Sequence, residues 1–267
     1  LLDVPGLAEP ASGIAISLTS HNGANLNKLH LRSGRLPQTG STSEATVSEG
    51  FARANNLTLG STFSAIMDGR KRTLHITGLA LSPEYIYAMA PGDLVPDDRR
   101  FAVIWMPEET LAAAFDLDGA FNSVALKLLP GTRSEDVIGT LDGLLARYGG
   151  LGAYTRENQT SHAFLDSELN QLAAMSRIVP PIFLAVSAFL INMTLSRLIA
   201  LEREQIGLLK ALGYGRTAVA AHYVKFVLLI ACTGSLIGAV AGTWLGRGMT
   251  QLYGNFFHFP FLIFEHD

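Results

Sequence analysis

The residues of this 267-residue chain that could carry chemistry are scattered rather than grouped. Seven histidines, at 21, 30, 75, 162, 222, 258 and 266, are the side chains best suited to ligating a metal or moving a proton near neutral pH. They show no H-x-x-x-H spacing, and the one cysteine, Cys232, lies alone in an apolar run, so neither a metal motif nor an intrachain disulfide is written here. There is no G-x-S-x-G elbow, no Walker A loop and no G-x-G-x-x-G turn. The sequence therefore predicts no catalytic residue, no metal and no cofactor held by this chain. The densest charge cluster, Asp97-Asp98-Arg99-Arg100, reads as a solvated turn.

One other concentration of charge is placed where a folded core has no use for it. EREQIGLLKALGYGR, Glu202 to Arg216, separates two of the most apolar runs in the chain. Its chemistry is that of docking. Leu201, Leu208, Leu209 and Leu212 fall on one helical arc, with Arg203 and Lys210 opposite, so an apolar stripe can enter a groove while the bases meet an acidic rim or lipid phosphate.

The elements that must position this piece are the runs on either side. Residues 178–200 and 220–246 are each long and apolar enough to cross a bilayer, which takes roughly 20 helical residues. The first carries Arg197 near its end and the second Lys225 near its start, and both can snorkel towards the connector. Arg203, Lys210 and Arg216 add to them, and short loops rich in Lys and Arg stay on the cytoplasmic side. Arg247 at the far end does not reverse that orientation, so residues 1–177 are expected outside the membrane.

In the second run Gly234, Gly238, Gly242 and Gly246 recur every four residues, a stripe that lets another helix approach closely. Asn192 is the most polar residue well inside the first run, and Pro180-Pro181 are expected to start or bend its outer end.

Composition agrees with this division. Hydrophobic residues make up 48% and charged residues 16%, against about 25% charged in typical soluble domains. Up to Arg177 there are 19 acids and 14 bases, net −5; after it there are 4 acids and 6 bases, net +2. An overall charge of −3 gives no reason to expect nucleic acid. LLDVPGLAEP is not a signal peptide, and the chain reads as a piece of a longer protein.

The part before the spans mixes strand and helix signals. TFSAIM and RTLHITGLAL are predicted to form a hairpin through Asp68-Gly69, with Leu74 and Ile76 on one face. EATVSE, FAVIWM and SVALKL read as further strands. Pro107–Phe115 and Ser134–Gly149 read as helices, the latter with a Ser cap and a stripe of Val137, Leu141, Leu144 and Leu145. The expected fold class is an α+β extracytoplasmic domain of two small lobes, joined to a pair of transmembrane helices. Its expected divisions are residues 1–160, a helical stalk at 161–177 and a membrane part at 178–267.

Two stretches resemble a known family. Gly34-Arg35-Leu36-Pro37, Thr46–Ala52, Leu57-Thr58-Leu59-Gly60 and Leu74–Leu79 are similar to the periplasmic core domain of MacB/FtsX-type ABC transporter permeases. Residues 182–260 resemble an FtsX-like permease domain, whose signature after its first span approximates R-x-E-I-G-x-L-K-A-L-G. Here it reads Glu204-Gln205-Ile206-Gly207-Leu208-Leu209-Lys210-Ala211-Leu212-Gly213, with Gln205 where an acid is usual.

The resemblance implies a permease subunit of a bacterial inner-membrane ABC transporter, multi-pass, with further spans or a second permease module as neighbours. It implies that a separate ABC ATPase binds ATP and Mg. Coupling to that partner would run through a cytoplasmic helix at about 201–213, on Glu202, Arg203, Glu204, Ile206, Gly207, Leu208, Lys210 and Gly213. The output would be movement of the outer domain, with transport of or mechanical work on a lipid, lipoprotein, peptide or drug-like cargo. The sequence leaves open a membrane-anchored sensor that signals through the same loop.

Overall fold

A computed structural model describes residues 1–19, 26–93 and 95–260. His21 and His266 therefore lie outside the described residues, as does the end of the expected membrane part beyond Pro260. The chain divides into two compact units: Leu1–Asp166 joined by the segment from Tyr253, and a second built on Ser167–Leu252.

The first unit is organised by a seven-stranded mixed sheet. In chain order its strands are β1 (Leu2–Asp3), β2 (Ser12–Leu18), β3 (His30–Gly34), β4 (Glu44–Ser48), β5 (Thr62–Met67), β6 (Arg70–Leu81) and β7 (Phe101–Pro107). Their order across the sheet is β1-β5-β6-β4-β7-β2, and β3 also pairs with β6.

β6 is the longest strand and the hub of the sheet. β5 pairs with its first half from Arg70 to His75, β3 with its second half from Gly78 to Leu81, and β4 runs parallel along residues 75–80. The β5–β6 hairpin turns on Asp68 at φ 45° and Gly69 at φ 71°. Two successive left-handed residues match the twist of the flanking strands, which is why Asp-Gly serves here. Leu74 and Ile76 are buried while Thr73 and His75 face out, as the alternation predicts.

β7 does not alternate, and its packing explains why. Ala102, Ile104 and Met106 enter one apolar cluster with Val47, Phe51, Phe63, Leu74 and Ile76. Phe101, Val103 and Trp105 enter a second cluster with Ala80, Tyr85 and Ala88. A strand covered on both faces reads as a continuous apolar run. Helix α1 (Glu49–Ala54) follows β4 and buries Gly50, Phe51 and Ala52, while α2 (Glu108–Ala114) follows β7 behind Pro107.

Beyond α2 the expectations need correction. Residues 123–128 do not form a strand. Val124 and Leu126 alternate as a strand would, yet they are more than half exposed, and no described segment offers the ladder that defines a strand. Helix α3 (Ser134–Leu145) ends in a 3₁₀ turn and a left-handed Gly149, but Ser134 is its first residue and no side chain caps it. In its stripe Val137, Leu141 and Leu145 are half-buried, whereas Leu144 is exposed.

The second unit holds the two long apolar helices. α4 (Thr160–Leu201) has 42 residues and α6 (Arg216–Phe256) has 41, with α5 (Arg203–Ala211) between them. At 1.5 Å per residue α4 is about 63 Å long, roughly twice a bilayer core. Its first residues belong to the first unit. The prolines do not start the helix: α4 begins at Thr160, and Pro180 and Pro181 lie inside it. The apolar windows of both helices bury none of their residues within the chain. Thr233 and Thr243 donate their hydroxyls to carbonyls one turn back, so neither brings an unpaired polar group into the apolar layer.

Candidate functional site

The charged connector folds as a separate helix with fixed ends. α4 stops at Leu201, Glu202 takes a non-helical conformation, and α5 starts at Arg203. The Glu202 carboxylate accepts a 2.5 Å hydrogen bond from the Tyr223 hydroxyl of α6. At the other end Gly213 turns left-handed at φ 93°. Its N–H donates to the Lys210 carbonyl, and the Tyr214 N–H donates to that of Leu209. This pair is the Schellman closure, which needs glycine because a Cβ disfavours positive φ.

Between these ends Leu208 and Leu212 are well exposed and Leu209 less so, while Ile206 is half-buried. Gly207 has open space where a side chain would start. Arg203, Glu204 and Lys210 are exposed on the same short helix. Its surface can accept another protein; it holds no reacting group. On α6, Gly234, Gly238 and Gly242 likewise face open space, and Gly246 continues their stripe.

The Gly-Arg-x-Pro segment is a structural staple. Gly34 has φ 79°, and a Cβ there would run into the Thr77 carbonyl. That close approach lets the Arg35 N–H reach Thr77 at 2.9 Å. The Arg35 guanidinium then grips both oxygens of Glu44, at 2.8 and 2.5 Å, and the Gln38 N–H adds a third bond at 2.8 Å. Arg35 first and the Gln38 amide second hold the Glu44 carboxyl down to about 2.

A second arrangement is not legible in the sequence. The loop leaving β6, Ser82–Ala88, meets the start of α4 and the segment after α6. Gln159 donates to the Glu84 carbonyl at 2.7 Å, Ser161 Oγ accepts the Tyr87 N–H at 2.9 Å, and the His258 N–H donates to the Ile86 carbonyl at 2.7 Å. The Tyr87 ring lies 5.0 Å from Phe164 and 5.2 Å from Phe257. Burial, and then Glu84, push the Tyr85 hydroxyl up to about 12, and burial raises Glu84 as well.

Beside this loop His258 Nε2 meets Asp98 Oδ2 at 2.9 Å, with side chains 10% and 23% exposed. Asp98 is thus a partner in a half-buried pair, which corrects the solvated-turn reading at that residue, while Asp97, Arg99 and Arg100 are exposed as that reading expects. Asp97 caps the Arg99 N–H within the turn, and Arg100 pairs with Glu9. A cavity lined by both Asp98 and His258 measures about 10 Å³, the size of a single water, and a larger one of about 260 Å³ is lined by His258 together with Arg32, Glu49 and Arg53. Among the described residues no three His, Cys, Asp or Glu side chains gather as a metal site.

Comparison with known families matches residues 177–265 to the FtsX-like permease C-terminal family. Comparison with curated proteins yields no match.

Proposed function

We propose, from the premise that residues 177–265 match the FtsX-like permease C-terminal domain, that this membrane protein is the permease subunit of an ABC transporter. The carrying observation is that the matched segment contains α5 and most of both long apolar helices. In this reading α4 and α6 span the bacterial inner membrane, within a multi-pass assembly completed by further spans or a second permease module. α5 is the cytoplasmic coupling helix, presenting Leu208, Leu209 and Leu212 to the groove of an ABC ATPase, with Glu204 at the edge of that arc and Arg203 and Lys210, beside Ile206 and Gly207 on the other face, to the groove's rim. ATP and Mg belong to that partner. The sheet unit is a MacB-like periplasmic core domain, and its movement is the output, as transport or as force on a lipid, lipoprotein, peptide or drug-like cargo. Gly213 and Glu202 support the reading because they close both ends of α5, and a docking helix must be preformed to bind without a large ordering cost.

The test is recovery of partners from detergent extracts with the wild-type chain and Leu208→Glu. Recovery of an ATP-binding subunit with the wild type, at least tenfold reduced by Leu208→Glu, supports the assignment. Recovery of a signalling protein instead, or equal ATPase recovery with both chains, overturns it. A Gly207→Glu chain that still binds ATPase and sustains full transport would exclude α5 as the coupling element.

A further inference from the structure

We infer that Tyr87 is a positioning residue that bolts the start of α4 and the end of α6 to one strand of the sheet, so that the two helix ends and β6 shift as one body. This rests on the permease reading and deepens it, by naming the residues of the first unit that hold the two helix ends to its sheet. Every contact involved lies within the first unit.

The base of the bolt is firm. β6 is hydrogen-bonded to β3, β4 and β5, and its last residues Ala80 and Leu81 are buried. Tyr85, two residues before Tyr87, packs with Ala88 against the Phe101, Val103 and Trp105 cluster. A displacement of residues 84–87 is therefore delivered to the strand that touches three others. It is not absorbed by a slack loop.

The head of the bolt takes two loads. On one side stand Phe164 of α4, 5.0 Å away with planes at 25°, and the Ser161 hydroxyl, its residue 4% exposed, on the Tyr87 N–H. On the other side stands Phe257, 8% exposed and 5.2 Å away, which also stacks at 5.6 Å on Tyr253 in the last turns of α6. The His258 N–H on the Ile86 carbonyl secures the same side. Aromatic pairs at these separations are attractive beyond their burial. A ring held between two others couples them, since neither can leave without loosening the middle one.

Ordinary local packing would give local effects; a bolt gives effects across it. The experiment is amide hydrogen exchange on the full chain in lipid nanodiscs, with Phe257→Ala, Phe164→Ala, Tyr87→Ala and Tyr87→Phe. Phe257→Ala is expected to raise exchange at residues 162–166 of α4 as well as at His258, by about threefold to tenfold for a lost aromatic pair. Phe164→Ala is expected to raise exchange at His258 reciprocally. Tyr87→Ala should raise both together, and Tyr87→Phe, which keeps the ring, should raise both less than Tyr87→Ala does. Exchange that rises only on the side of each substitution overturns the inference, and the two phenylalanine variants decide it even if Tyr87→Ala unfolds the unit. Neither outcome depends on an ATPase; the partner recovery above tests the permease reading separately.

Discussion

Replacing Gly50 by Ala sets two known tendencies against each other at one atom. Gly50 is the second residue of α1, and its backbone is not left-handed, so alanine fits the helix and favours it by at most about 1 kcal/mol. The added Cβ, however, would overlap His258 Nε2 and stand 2.7 Å from Asp98 Oδ2. The His258–Asp98 contact is a 2.9 Å hydrogen bond to a carboxylate, and bonds to charged groups contribute about 1.5–3 kcal/mol. Its loss outweighs the helix gain, leaving segment 257–259 less firmly held by roughly 0.5–2 kcal/mol. Opening of that segment should then be about 2- to 30-fold more frequent, at 1.4 kcal/mol per factor of ten. The assay is exchange of the His258 amide, whose acceptor is the Ile86 carbonyl, in the full chain. The Leu74 and Ile104 amides, deep in the sheet, serve as an internal control. Exchange at His258 that is unchanged or slower in Gly50→Ala would refute the reasoning, because the pair would then have moved aside at no cost.

Two further outcomes follow from the other sites. Glu44 has its folded pKa lowered from 4.5 to about 2, so its contribution to stability is fully present above the unfolded value and is lost as pH falls through the folded one. Acid titration of the wild-type chain in detergent should show a loss between about pH 4.5 and 2 that Glu44→Gln lacks; coincident curves would remove the Arg35–Glu44 pair from the account of stability. Gly238→Leu puts a large side chain on a stripe that is open within this chain. On the proposal that a second permease module packs there, co-purification of that module should fall several-fold while helical content by circular dichroism is unchanged or higher; undiminished co-purification would place that contact elsewhere.

What the sequence makes legible depends on the range of the interaction. The β5–β6 hairpin is legible because Asp68-Gly69 and the alternation around Leu74 and Ile76 are local facts. The two long helices and α5 are legible for the same reason, through apolar length and a closing glycine at 213. SVALKL marks the limit: alternation states which face would be apolar but cannot supply the neighbouring strand, and none of the described residues does. β1, β2 and β3 carry little signal because Leu2–Asp3 is too short to show a period and Ser12–Leu18 and His30–Gly34 contain glycine or charge. The Tyr87 cluster joins residues 87, 164 and 257, and Asp98 meets a histidine 160 positions away. No spacing rule reaches that far, so Asp98 reads locally as one more solvated acid. The Gly-Arg-x-Pro segment falls between these cases, since its residues stand out in the sequence but their tie to Glu44 and Thr77 does not.

The closed ends of α5 have a mechanical meaning. A connector with loose ends would swing when pushed and dissipate the push as local disorder. Glu202 is held by a hydroxyl on α6, and the Gly213 turn locks the helix to its exit. A load applied at Leu208 is therefore that of a short beam supported at both ends, shared between its two supports. Under the coupling role proposed for α5, the stiffness of those supports sets how much of a partner's stroke would reach α4 and α6.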